Sequence, residues 1–262
     1  MTSNFKRGGA VSEAFYDMVG LRFWRESEIL QREQFTARLA QTLSSTLLDI
    51  NQGWRIERVE APLIMPRSQF SGEYTDKEVF PIVSDHANQR WALRAETTPG
   101  TYAFAKHLLT GGDASKVTQR PPLALWQAGQ SFRREATDGA RPATLRFNQF
   151  WQWEAQCIYR ADSGAAQDYV DELRREMAQT ISQLVNTEVR IVESDRRPAY
   201  SKETLDIEAM WQGEWKEVAS TSVRTDFPTF DPYLGTSPKN TLVVFEVAVG
   251  LDRLVAIANR KA

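Results

Sequence analysis

The stretches LALWQAGQSFRRE (residues 123–135) and LRFNQFWQWEAQCIY (residues 145–159) decide how this chain folds. Each is rich in aromatic and aliphatic residues. The TDGARPA segment between them carries Gly139 and Pro142, which interrupt regular structure. The pair therefore reads as an antiparallel hairpin with a long tip. Alternation along the strands places Arg133 and Glu135 on one face, and Arg146, Asn148 and Phe150 on one face. Such a ribbon suits a nucleotide, with guanidinium against phosphate and ring against base; a salt-bridged surface ribbon is the alternative.

Working outward, Ile29, Leu30, Phe35, Leu39, Leu43 and Leu47 recur near a 3.6 period, which predicts an amphipathic helix over Arg25–Leu48. Trp54–Met65 predicts a strand whose exit is marked by Pro62 and Pro66. A short strand at Gln89–Leu93, a turn at ETTPG and a helix through Leu109 follow. Asp162 or Ser163 is placed to cap a helix carrying Val170, Leu173, Met177, Ile181 and Leu184 on one face. Val189–Val192, Glu217–Ser222 and Leu242–Val249 predict further strands, and Leu251–Asn259 a closing helix. Hairpin strands with helices between them give the α+β class, an antiparallel β-sheet flanked by helices. Residues 1–262 read as a single domain, with 1–10 a loose start.

Composition narrows the chemistry. The 262 residues carry 32 Lys plus Arg against 34 Asp plus Glu, a net charge of −2, so the chain is no general polyanion binder. A single cysteine, Cys157, excludes an internal disulfide and a cysteine-based zinc site, and two histidines exclude a multi-histidine metal site. No apolar run approaches about 18 residues, so the expectation is a cytoplasmic protein with no membrane partner. The phosphate-cradling GxxxxGK[ST], the dinucleotide GxGxxG, HExxH and GxSxG are all absent. His107 falls in a predicted helix, His86 in a polar loop and Cys157 in a buried strand; none is assigned a role.

Two further stretches carry chemistry. In FEVAVGLDRL (residues 245–254) a strand ends at Gly250 and Arg253 falls in the first turn of the next helix. The helix dipole disfavours a cation there, so a bound phosphate would compensate; an ion pair with Asp252 or another carboxylate would do the same. In EWKEVASTSVRTD (residues 214–226) hydroxyls and carboxylates alternate, as suits oxygen ligands to Mg²⁺, or an amphipathic edge strand.

Together these stretches resemble the class II aminoacyl-tRNA synthetases, in that family's order. Phe132-Arg133-Arg134-Glu135 with Arg146 and Phe150 is similar to motif 2, Gly250-Leu251-Asp252-Arg253 to motif 3, and Pro62 after RVEA to the proline ending motif 1. The likeness runs from about Trp54 to the C-terminus. Within the family the glycyl enzymes of archaeal and eukaryotic type are the most similar. LRAETTPG (93–100) resembles their LRPETxQG, AGQSFR (128–133) their IGxSFR, and YSKETLDIE (200–208) their YAxDxWDxE. Glu217 through Arg224-Thr225-Asp226 resembles their Trp-x-Glu strand, and Glu246 the Glu of EPSxG; Ser71-Gly72 fits the wider class IIa pattern. Ala248, Ser220 and Ala95 depart from the glycyl pattern, standing where Ser, Gly and Pro are usual in it.

The resemblance implies ATP-dependent activation of a small amino acid, glycine first, as an aminoacyl-adenylate. ATP and Mg²⁺ would be its cofactors. Arg133, Arg253 and Glu217 would form the catalytic set, with Arg133 on the α-phosphate and Arg253 on the γ-phosphate. Phe150 would stack on adenine and Glu135 read its edge, with Arg146 alongside. Glu217 and Ser220 would hold the metal. Glu96, Glu154 and Glu246 would surround the amino group, Ala248 would floor the pocket, and Arg224 would face the carboxylate. A tRNA acceptor end is the implied acceptor, and Arg141 would touch it or be a solvated loop charge. A carrier protein, small molecule or nucleobase is the alternative acceptor. An inactive paralogue serving as a binding or accessory subunit is the alternative function. A homodimer is implied, and, since the chain stops soon after Arg253, no anticodon-binding domain is expected.

Overall fold

The computed structural model describes residues 15–16, 21–69, 74–82, 90–110, 122–135, 145–160, 166–196, 198–224 and 242–259. Residues 1–10, Ser71-Gly72, His86, the TDGARPA segment with Arg141, Asp162, Ser163 and Thr225-Asp226 lie outside them. A ribbon of β1 (Phe15–Tyr16) and β2 (Arg22–Phe23) precedes α1 (Glu26–Ile50). Glu28 accepts a hydrogen bond from the Arg25 backbone N–H at 3.0 Å, fixing the start of α1, which buries Phe35, Leu39, Leu43 and Leu47 at helical spacing.

The strand expected over Trp54–Met65 is instead two strands in different sheets, β3 (Arg55–Arg58) and β4 (Ile64–Pro66). Pro62, which has no N–H to give a ladder, lies in the break. With β5 (Pro81–Ile82) and β6 (Trp91–Leu93), β4 forms a three-stranded antiparallel sheet ordered β4-β6-β5. Then α2 (Thr98–Thr110) begins inside the expected turn, because Pro99 fits the first turn of a helix, where its missing N–H costs nothing.

Next come β7 (Leu123–Phe132), β8 (Gln149–Arg160), α3 (Ala166–Val185), β9 (Val189–Glu193), β10 (Ser201–Trp211), β11 (Glu214–Arg224), β12 (Leu242–Gly250) and α4 (Leu251–Asn259). The large sheet has the order β3-β7-β8-β12-β11-β10-β9, antiparallel except for the parallel β3–β7 pair. β10 was not among the expected strands. Its hairpin to β11 turns on Gln212 (φ 54°) and Gly213 (φ 81°), the two positive φ values of a tight two-residue loop. β11 is an internal strand, not an edge.

Alternation along the sheet separates two layers. Trp153, Ala155, Cys157 and Tyr159 of β8 join Phe245, Val247 and Val249 of β12 in a core shared with α1, α3 and α4. Leu123, Leu125, Ile158, Leu242 and Val244 pack in a second core with Ala105 and Leu109 of α2. Glu154 and Gln156 of β8, and Glu246 and Ala248 of β12, lie out of step with the first core by one residue, which turns a polar strip toward α2 and the site. Cys157 is buried in the first core, where desolvation pushes its thiol up. His107 is exposed on α2.

Candidate active site

The hairpin ladder stops at Phe132, earlier than sequence alternation suggests. The Arg133 N–H still donates to Asn148 O at 2.9 Å. The Glu135 N–H folds back onto Arg133 O (2.9 Å) and Asn148 Oδ1 (3.1 Å), so strand alternation does not extend to Arg133, Glu135, Arg146 and Asn148. Arg133, Glu135 and Arg146 instead form one wall of a cavity of ≈ 220 Å³. Other walls come from β8, β11, β12 and the first turn of α4, from Tyr74, and from the β9–β10 segment.

At one end the groups are cationic and aromatic. Arg133 donates from Nε to Ala95 O (3.1 Å), and its guanidinium lies 5.1 Å from the Phe150 ring centroid and 5.4 Å from that of Tyr74. Arg253 reaches across the cavity floor, donating from Nη1 to Glu217 O (2.7 Å) and from Nε to Leu145 O (3.2 Å), with Glu217 Oε1 at 3.5 Å. The carboxylate beside Arg253 is thus Glu217 and not its neighbour Asp252. Asp252 accepts from the Trp151 N–H at 2.5 Å and pairs with Arg22. Burial pushes the Asp252 carboxyl up to about 6, with Arg22 opposing. Arg146 lies 3.8 Å from Glu135.

At the other end the groups are acidic and buried. Glu154 is held by Thr98 Oγ1 (2.7 Å), Gln156 Nε2 (2.9 Å) and Gln152 Nε2 (2.8 Å). Glu246 Oε2 accepts from Arg224 Nη1 (2.5 Å), Gln156 Nε2 (2.6 Å) and Thr98 Oγ1 (3.1 Å). Glu96, from the β6–α2 connection, is 7% exposed, and burial with Glu154 and Glu246 nearby pushes its carboxyl up to about 7 despite Arg224. Glu154 is likewise raised by burial and by Glu246. Three carboxyl groups share one cation here, so a further cation would favour their ionised forms and be held by them.

Of the residues singled out from sequence, Arg133, Glu135, Arg146, Phe150, Glu217, Ser220, Arg253, Glu96, Glu154, Glu246 and Ala248 all line this cavity. Ser220, Ala248 and Glu154 are successive cross-strand partners. Arg224 is not on the wall. It is 1% exposed, stacked 3.9 Å from the Tyr200 ring centroid and paired to Glu246 from behind. Sequence reasoning missed Tyr74, Gln152 and Arg196 on the wall, and Asp206, which burial raises while Ser194 and Ser220 oppose. It also missed Thr98 and Gln156 behind the acids. The period-two Gln152-x-Glu154-x-Gln156 was the readable signal for the two glutamines.

Residues 77–261 match the profile of the tRNA synthetase class II core domain of the G, H, P, S and T group. The chain belongs to this class II core family. Among relatives of the core, the glycine–tRNA ligase of Mycoplasmopsis synoviae is 28% identical over 193 residues, which cover 68% of this chain and 41% of that protein. The glycine–tRNA ligase of Lachnoclostridium phytofermentans is 27% identical over 153 residues, 57% of this chain and 31% of that one. The match thus spans well under half the length of either relative. The class II fold is seen directly in the prolyl-tRNA synthetase of Cryptosporidium parvum complexed with halofuginone and AMPPNP. Its TM-score is 0.68 at 16% identity, covering 94% of this chain and 48% of that one. No described helix of this core is long and apolar enough to cross a membrane.

Proposed function

We propose that this class II core activates a small amino acid, glycine foremost, with ATP to form an aminoacyl-adenylate, and passes the acyl group to a tRNA acceptor end. One observation carries the reading: a single cavity holds Arg133, Arg253 and Phe150 at one end and buried Glu96, Glu154 and Glu246 at the other. A triphosphate and a ring suit the first end, and an ammonium group suits the second. Both glycine–tRNA ligase relatives support the choice of amino acid, and Ala248 between the ends adds little bulk.

In this reading a carboxylate oxygen of the amino acid attacks the α-phosphorus. The new O–P bond forms as the bond to the β-phosphate bridging oxygen breaks, and pyrophosphate leaves with the electron pair. No protein nucleophile takes part, so the residues act by positioning and charge neutralisation. Arg133 and Arg253 hold the phosphates, Phe150 stacks on the base, and Glu135 with Arg146 borders it. Arg224 serves the amino-acid pocket through Glu246. Mg²⁺ would shield phosphate charge here. Glu217 and Ser220, which both line the cavity, would hold it through one carboxylate and one hydroxyl.

ATP–pyrophosphate exchange across the twenty amino acids, with and without total tRNA, tests the reading. Exchange with glycine and tRNA-dependent AMP release are expected. A folded protein that exchanges with no amino acid would overturn the activation step, and exchange without transfer to tRNA would overturn the acceptor.

A further inference from the structure

We propose that Gln156 is a positioning residue for amino-acid recognition: its side-chain amide ties Glu154 and Glu246 together as one ammonium clamp. This rests on the adenylation reading and deepens it. Gln156 sits directly opposite Glu246 on the neighbouring strand and two residues from Glu154 on its own, so all three side chains leave the same face of the sheet. The residue is fully buried. One nitrogen, Nε2, donates to Glu154 Oε1 at 2.9 Å and to Glu246 Oε2 at 2.6 Å, spending its two hydrogens on two carboxylates. The Thr98 hydroxyl, a further 3.3 Å from Nε2, lies beside the same two oxygens.

Two features show that this amide is bound by the acids and not by the fold at large. Its orientation is dictated by them, because the reverse would set a carbonyl oxygen against two carboxylates. Among the described residues its own carbonyl Oε1 is buried without a hydrogen-bond donor, so the amide's ties there are to the two acids and to the Thr98 hydroxyl between them. Its partner on β7 is Leu125, which offers no polar contact. Without the bridge, Glu154 and Glu246 would repel and turn apart, or take up a proton between them. The charged groups facing the clamp are Glu96 ahead of α2, Arg224 from β11, and more distantly Arg94 and Arg133. Arg224 donates to Glu246 and to the Thr98 hydroxyl, and that hydroxyl has one hydrogen to share between the two acids, whereas Gln156 Nε2 has one hydrogen for each.

The test compares Gln156→Met, which removes the bridge at similar volume, with Gln156→Glu, which is isosteric and adds a carboxylate. Glycine-dependent pyrophosphate exchange is followed from pH 6 to 9, with thermal unfolding confirming that each variant folds. In Gln156→Met the KM for glycine should rise about tenfold or more at pH 7 while the KM for ATP stays within about twofold. The acidic limb of kcat/KM for glycine should move to higher pH, so that the deficit narrows toward pH 9. The same displacement of the limb is expected in Gln156→Glu, so a failure of the methionine variant to fold leaves the proposal testable. Unchanged glycine KM and pH limb in a folded variant would overturn it. So would a pH-independent loss shared equally by glycine and ATP, which is the mark of a purely structural residue. Absence of exchange in the unaltered protein would instead bring down the adenylation reading, and the clamp with it.

Discussion

Replacing Arg94 by leucine should destabilise the protein by about 2–4 kcal/mol. Arg94 is 3% exposed and donates from Nη1 to Ala61 O and from Nε to Gln130 O, both at 2.7 Å, with longer contacts to Gln127 Oε1 (3.3 Å) and Pro62 O (3.5 Å). It makes no ion pair among the described residues. Hydrogen bonds from a charged donor contribute about 1.5–3 kcal/mol each, so the two short ones amount to about 3–6 kcal/mol. Desolvation of the guanidinium, which pulls its pKa down, offsets part of that, and leucine escapes the penalty. The remainder is the predicted loss, because two partly buried carbonyls are left without this donor. Urea unfolding at pH 7 measures it, and Arg94→Lys should lose about half as much. A Cβ at Gly129 would overlap Arg94 Nη2, so Gly129→Ala should be costly in the native background and nearly neutral beside Arg94→Leu. A loss below about 0.5 kcal/mol for Arg94→Leu, or strict additivity of the two changes, would refute the reasoning.

Arg133→Ala and Arg253→Ala should each lower pyrophosphate exchange by about 10²–10³-fold, the scale of removing one preorganised donor, with thermal unfolding little changed; exchange within tenfold of the native rate would remove either residue from the site. Glu96, raised to about 7 against an ordinary 4.5, holds a proton when folded that it has lost when unfolded. The ligand-free protein should therefore lose stability as pH rises from about 4.5 to 7, by about 3 kcal/mol from this group, and Glu96→Gln should flatten that slope in urea titrations. A slope of opposite sign across that window would contradict the buried, protonated Glu96. We also expect a homodimer, with Phe23, Leu30, Leu63 and Ile64 offering exposed apolar surface; a monomeric mass by sedimentation at micromolar concentration would count against it.

What the sequence disclosed depended on how sharply each segment's period was set by burial. β8 and β12 are buried on both faces, and their aromatic and branched runs were legible as strands. The α1 stripe of Phe35, Leu39, Leu43 and Leu47 was equally plain. β10 was not, because Lys202, Glu203, Thr204 and Asp206 leave it without an apolar face over its first half, where it is only partly buried; the Gln212-Gly213 turn was its one local signal. The wall residues beside Arg133, Glu217 and Arg253 were reachable from motif spacing. Gln156 was signalled by its period-two spacing from Gln152 and Glu154, but Thr98 and Arg94 were not reachable, since their roles come from partners 32 to 148 positions away along the chain.

The parallel pairing of β3 with β7 also governs when the site can exist. Two strands running the same way cannot be joined by a tight turn, so the chain between Arg58 and Leu123 makes a long excursion, and that excursion carries Arg94, Glu96 and Thr98. Thr98 and Glu154 are 56 positions apart along the chain, whereas Gln156 and Glu246 are 90 apart and Thr98 and Glu246 are 148 apart. Loop closure therefore costs least for bringing the β6–α2 connection onto β8, and most for docking β12 beside it. Glu246 is the last acid to arrive, and the amino-acid end of the cavity is a late product of folding.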